Sequence, residues 1–235
     1  MSQESRDAGR NRVTPEVIVL KMCYQFIKNF NYLVVDPASG QAVVIDPAWE
    51  MEKIDQALVD AQATLSGILI THSHPDHVHL AEPLAEKYCC PIWMAKEEIA
   101  DSGFRARNLI GIDARPWTVG EMLIEPILTP GHTPGCVCYL IGDNLFSGDV
   151  LFTEGCGMCA NEQAAHSMFA SLESLKTRLK PQTRIFPGHS YGEPPGRTLS
   201  QLRKDNIYLQ FSDKDSFTSF RLRRGQNVEK MFSFS

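Results

Sequence analysis

A chain of 235 residues with 43% apolar and 22% charged residues can bury a sizeable core, and its length suits one α/β domain. The formal charge of −5 leaves no broad basic surface, so neither nucleic acid nor an anionic membrane is expected as a partner. No apolar run approaches the roughly 20 residues that a membrane-spanning helix requires.

Residues 1–13, MSQESRDAGRNRV, are polar and lack the hydrophobic stretch of a signal peptide, which predicts a disordered leader. VIVLKMC (17–23), NYLVVD (31–36) and QAVVID (41–46) read as strands, the last two joined by the turn-like PASG. Met51, Ile54, Leu58 and Ala61 then recur at helical spacing. GILI (67–70) reads as a buried strand, residues 75–88 as one helix and PIWM (91–94) as another strand, followed by a short helix and an irregular stretch over 103–118. MLIEPIL, CVCYLIG and NLFSGDVLF form a second strand-rich group. Met168, Leu172, Leu175 and Leu179 mark a second amphipathic helix, and RIF (184–186) a last short strand. No linker divides residues 14–193, which read as one core. GEPPG then leads into residues 194–235, expected as a helix and tail packed on the same domain. Strands interleaved with helices predict a layered α/β fold.

The cysteines number seven, an odd count at irregular spacing, with Cys89 and Cys90 adjacent and Cys136 and Cys138 in an apolar run. Without a secretory signal these read as reduced thiols, several of them buried, and the cytoplasm is the expected compartment.

The densest chemistry lies in THSHPDH, residues 71–77. A residue before proline is pushed out of the helical region, so His74 is expected to be extended, and Pro75 suits the first turn of a helix. His72 and His74, two apart on an extended chain, then point to the same side. Asp76 and His77, in the first helical turn, project differently. One segment thus aims ligand groups at two neighbouring points, which suits two metal ions side by side. A lone histidine at a strand end is more often a hydrogen-bonded structural residue, and Asp76 alone would be an ordinary acid at a helix N-terminus. Three imidazoles and a carboxylate packed together differ, because their repulsion and desolvation call for a counter-charge that a divalent cation provides.

His132 in TPGHTPGC, Asp149 in LFSGDVLF and His189 in IFPGHSYG each follow a strand-like run. A glycine precedes each, where backbone can approach a ligand closely. Crevices beyond the carboxyl ends of strands are where open α/β sheets bind their ligands. His79 and His166 fall outside this scheme and read as residues on helix sides. The donors are all nitrogen or oxygen, a set that suits zinc, iron or manganese.

THSHPDH, GHT, SGD and PGHSYG, in that order over roughly residues 17 to 193, resemble the metallo-β-lactamase superfamily. The resemblance implies an αββα sandwich with a dinuclear site at one edge. It further implies that His72, His74 and His132 hold one Zn2+, that Asp76, His77 and His189 hold a second, and that Asp149 bridges them, with iron as the alternative metal. Asp76 would also orient the attacking water or accept its proton. Such a pair of ions makes hydroxide available near neutral pH. A thioester is a fitting substrate, because a thiolate leaves without a strong general acid.

SGDVLFTEGCGMC with PGHSYG is similar to the glyoxalase II and persulfide dioxygenase branch, where the residue after GCG is usually basic and helps hold glutathione. Here that residue is Met158, and the segment after His189 is too short for the full helical domain of glyoxalase II. Tyr191 matches a tyrosine that contacts substrate in that branch, although a packed aromatic is an equal reading. EGCGMC, FPGHSYGEPPG, NIYLQF and SFRLRRGQ most resemble the zinc-dependent acyl hydrolases of the PksB/BaeB type, encoded with polyketide synthases that lack built-in acyltransferases. That resemblance implies removal of acyl groups from the phosphopantetheine arm of an acyl carrier protein. Carriers are usually acidic, so Arg221, Arg223 and Arg224, or Arg105 and Arg107, are candidate docking groups, against the plainer reading of a solvated face. The alternatives are a hydroxyacylglutathione hydrolase or a mononuclear iron persulfide dioxygenase with His72, His132 and Asp149 as its triad. A non-enzymatic pathway protein is disfavoured by the full set of candidate ligands.

Overall fold

A computed structural model describes residues 14–223. The expected leader and the end of the tail, Arg224 included, lie outside the described residues.

The first sheet takes its strands in chain order: β1 (Glu16–Tyr24), β2 (Ile27–Val35), β3 (Gln41–Ile45), β4 (Thr64–Leu69), β5 (Ile92–Ala95) and β6 (Leu109–Ile112). β1 to β3 pair antiparallel, and β4 to β6 then add in parallel. The crossovers carry α1 (Met51–Asp60), α2 (Pro75–Val78), α3 (Ala81–Tyr88) and α4 (Lys96–Ser102). The second sheet repeats the sequential order with β7 (Trp117–Val119), β8 (Met122–Leu128), β9 (Val137–Ile141), β10 (Asn144–Gly148), β11 (Arg184–Pro187) and β12 (Arg197–Thr198). Its one parallel pair, β10 with β11, is bridged by α5 (Glu162–Arg178). α6 (Leu199–Asp205), a 3-10 turn at Ile207–Leu209 and α7 (Lys214–Arg221) complete the described chain.

Alternation along the strands distributes side chains between layers. Phe30, Tyr32 and Val34 of β2, with Val43 and Ile45 of β3, turn toward the other sheet and meet Ile124, Tyr139, Phe146 and Phe186. The intervening Leu33, Val35, Ala42 and Val44 pack on Ile54 and Leu58 of α1 and Leu84 of α3. Strands covered on both faces read as unbroken apolar runs, which is how these segments look in sequence. On the outer face of the second sheet, Met168, Leu172 and Leu175 of α5 pack with Leu202 and Phe217 against Cys138, Leu145 and Ile185. The result is the αββα sandwich.

Three expectations need correction. The helix over 75–88 is two helices, broken at residues 79–80, where the Leu80 N–H donates to the Pro47 carbonyl. The stretch 103–118 contains β6 and β7, too short to show a period but paired with β5 and β8. The segment after Pro194 holds β12 and two helices rather than one. All seven cysteines are unpaired and five are buried, as the sequence implied. Among the described residues, no helix is long and apolar enough to cross a membrane.

Candidate metal centre

The segments singled out in the sequence leave the carboxyl ends of four strands. His72 and His74 follow β4, His132 lies between β8 and β9, Asp149 follows β10, and His189 follows β11. α2 begins at Pro75, preceded by His74 in extended conformation at φ −63 and ψ 147. Close approach is enforced at the rear. Gly148 sits at φ +47 against Thr71, and a Cβ on Gly188 would lie 2.6 Å from His77 Cε1 and 2.7 Å from Asp149 Oδ1.

The seven residues converge in two sets. His74 Nδ1 lies 3.1 Å from both His72 Nε2 and His132 Nε2. Asp76 Oδ2 lies 3.1 Å from His189 Nε2 and 3.7 Å from His77 Nε2. Asp149 stands between the sets, with Oδ2 3.6 Å from His132 Nε2 and 3.7 Å from His189 Nε2, and Oδ1 3.5 Å from His77 Nε2.

The outward ring nitrogens are held by acceptors. His77 Nδ1 donates to Asp46 Oδ2 at 2.9 Å, His132 Nδ1 to the Met158 carbonyl at 2.9 Å, and His189 Nδ1 to the Lys28 carbonyl at 2.8 Å. Because carbonyls and carboxylates only accept, each of these rings turns its Nε2 inward. Asp46 also accepts from the Thr71 N–H and hydroxyl at 2.8 and 2.6 Å, so it backs the site rather than facing it.

Burial and the neighbouring imidazoles of His77, His132 and His74 push His72 well below the ordinary histidine pKa, which leaves it neutral. For His77 burial acts downward, but the carboxylates of Asp149 and Asp46 prevail and push it up to about 10. Burial would raise Asp76, yet the hydrogen bond from His189 and the charge of His77 hold it below the usual carboxylate range. The donor set fits a cation on a further observation: His77 Nε2 and Asp149 Oδ1 are buried with no hydrogen-bond partner, a costly state that a metal ion between them relieves.

The other expected residues fall as follows. Met158 contributes its carbonyl to His132, while its sulfur lies against the Arg221 guanidinium. The Tyr191 ring packs edge-on to Phe152 with centroids 5.3 Å apart, and burial with the charges of Asp149 and Glu154 pushes its phenol pKa upward. His79 packs on Trp49, and His166 faces Glu162 on its own helix, both apart from the cluster. Arg221, expected as a surface docking group, is instead buried, with Nη1 donating to the Tyr208 hydroxyl at 2.7 Å. Sequence reasoning missed Asp46 and Glu98. Asp46 closes the apolar run QAVVID, and a buried acid at a strand end was the one available signal.

The sandwich and this edge cluster define a class. The family model for the metallo-beta-lactamase superfamily matches residues 29–189, and the chain belongs to that superfamily. It is 45% identical to the "probable polyketide biosynthesis zinc-dependent hydrolase BaeB" of Bacillus velezensis, over 91% of this chain and 96% of that protein. PksB of Bacillus subtilis, described in the same words, is 40% identical over 91% of this chain and 96% of its own length. A hydroxyacylglutathione hydrolase of Brucella ovis is 35% identical over 80% of this chain and 72% of its own. Among solved structures, a metallo-beta-lactamase from Staphylococcus aureus superposes with a TM-score of 0.81 at 22% identity, covering 93% of this chain and 72% of that one, which speaks to fold alone.

Proposed function

We propose that this protein is a zinc-dependent thioester hydrolase that removes acyl groups from the phosphopantetheine arm of an acyl carrier protein in polyketide biosynthesis. The observation that carries the hydrolase reading is the meeting of two histidine-rich sets on the single carboxylate of Asp149. His72, His74 and His132 would hold one Zn2+, and Asp76, His77 and His189 a second, with Asp149 shared. When bound, the pair supplies a nucleophile from water at neutral pH and a Lewis acid for the substrate carbonyl.

The chain's own residues do the rest. Asp46 and the carbonyls of Met158 and Lys28 each take the Nδ1 proton and fix ring orientation, so that the Nε2 atoms face inward, where their lone pairs would be given to the metal. Asp76, held ionised, can orient the attacking water or take up its proton. The thiol of the pantetheine arm leaves as a thiolate and needs no strong general acid, and no additional acid has to be found in the site.

Carrier-bound substrate is supported by the two polyketide-pathway relatives, aligned over nearly the whole chain. Met158 supports it further by placing a thioether where the glutathione-using branch places a cation. Among the expected docking groups, Arg105, Arg107 and Arg223 are exposed.

The deciding experiment is thiol release from an acyl-pantetheine thioester on its carrier protein and from S-lactoylglutathione, with His74→Ala as blank. Release mainly from the carrier-bound substrate, lost in the variant, is expected. Release mainly from the glutathione thioester would make the chain a hydroxyacylglutathione hydrolase. Oxygen uptake with a persulfide, and no thiol release from either thioester, would favour an iron dioxygenase.

A further inference from the structure

Besides Asp46, another buried carboxylate holds residues next to the candidate ligands. Glu98 occupies the first turn of α4 and is 1% exposed. Its Oε1 accepts the Ser73 N–H at 2.8 Å and the Ser73 hydroxyl at 2.6 Å. Its Oε2 accepts the Thr133 hydroxyl at 2.5 Å and the Gly135 N–H at 3.2 Å. Among the described residues no lysine or arginine forms an ion pair with it; neutral donors alone satisfy both oxygens. Burying an anion this way is costly unless all its acceptor sites are filled, and here they are.

The identity of those donors is informative. Ser73 separates His72 from His74, while Thr133 follows His132 directly and Gly135 closes the same loop. One rigid carboxylate therefore spans two loops from different sheets, with one oxygen on each. The strand roots of these loops are already joined by the Val137 N–H to the Thr71 carbonyl at 3.0 Å, so Glu98 ties their tips. None of its hydrogen bonds reaches the loops that carry Asp149 and His189. Asp46, by contrast, grips His77 and Thr71.

We propose that Glu98 is a positioning residue for one metal of the pair. Resting on the two-metal reading above, it sets the separation of His74 from His132, whose facing nitrogens stand 3.1 Å apart, and so governs the affinity of the His72, His74 and His132 set while leaving the other set alone.

The test is zinc affinity, measured by competition with a chromophoric chelator on the full chain. The wild-type protein is expected to hold two ions, and His132→Ala identifies which binding step belongs to the set in question. Glu98→Gln, which turns an amide N–H toward the Gly135 N–H, should weaken that same step by about tenfold or more and leave the other within about twofold. Thr133→Val keeps the charge and removes one donor, so it should weaken the same step by a smaller factor, and it stands in if Glu98→Gln fails to fold. Equal weakening of both ions, or of neither, in a folded variant overturns the role of Glu98 alone. A wild-type chain that takes up fewer than two ions overturns the two-metal reading first, and the proposal with it.

Discussion

Every inward nitrogen of His77, His132 and His189 is aimed by what the opposite nitrogen of the same ring touches. Such partners commonly matter about 10–100-fold in metal affinity, although they never meet the metal. Asp46→Asn is therefore expected to weaken zinc binding by roughly that factor through His77, with the fold retained, as read by chelator competition beside circular dichroism. An unchanged affinity would mean that Asp46 serves only the Thr71 loop. The candidate ligands were legible in sequence because they sit in short motifs whose spacing has a geometric reading. Asp46 and Glu98 were not, being single acids at the end of an ordinary strand and in an ordinary helical turn. The contribution of Met158 was hidden for another reason, since a backbone carbonyl is common to all residue types. Arg221 was misread as exposed because its burial depends on α7 laying Phe217, Thr218 and Arg221 on one face, a placement that the charge of the side chain argues against.

The elements next to the centre are braced from outside. Asp55 of α1 accepts the Lys87 ammonium at 2.6 Å and the Tyr88 hydroxyl at 2.6 Å, both from the last turn of α3. Burial acts to raise the Asp55 pKa, but Lys87 and Tyr88 together hold it below the usual carboxylate value. A lowered folded-state pKa stabilises above the unfolded value of about 3.9 and is lost as pH falls through the folded one. Asp55→Asn should therefore cost about 0.5–1 kcal/mol at pH 7, a modest figure because the pair is partly solvated, and the difference should shrink as pH falls below the unfolded value and close once it has passed the lowered folded one. Urea unfolding of both proteins across that range checks it; a gap that persists in acid would assign the effect to packing. At this scale the long strands and α5 were legible from apolar patterning. The break between α2 and α3 did leave a signal that the reading of one helix passed over: Pro83 suits the first turn of a new helix and has no N–H to continue an old one, and the chain turns before it so that Asp76 and His77 lie at the centre while Ala81, Leu84 and Ala85 pack on the sheet. β6 and β7 escaped notice because strands of four and three residues exist through their neighbours rather than through their own pattern.

Across the whole molecule, metal and stability are linked, because a site assembled from four strand ends exists only in the folded chain. At free zinc a hundredfold above its dissociation constant, one such ion adds about 2.7 kcal/mol, and the loss on adding chelator should appear as a lower urea midpoint. A midpoint indifferent to chelator would count against zinc in this centre. The layered class was readable from the interleaving of strands and helices, but the strict chain order of both sheets was not, since pairing partners leave no mark on local composition. That order has a further consequence. Residues 16–112 form one sheet and residues 117–198 the other, and the candidate ligands divide between them, His72, His74, Asp76 and His77 on one side and His132, Asp149 and His189 on the other. A backbone cut within residues 113–116 would leave two polypeptides, each with a complete sheet and half a coordination sphere. Metal supply could then act as the switch that reassembles a split enzyme.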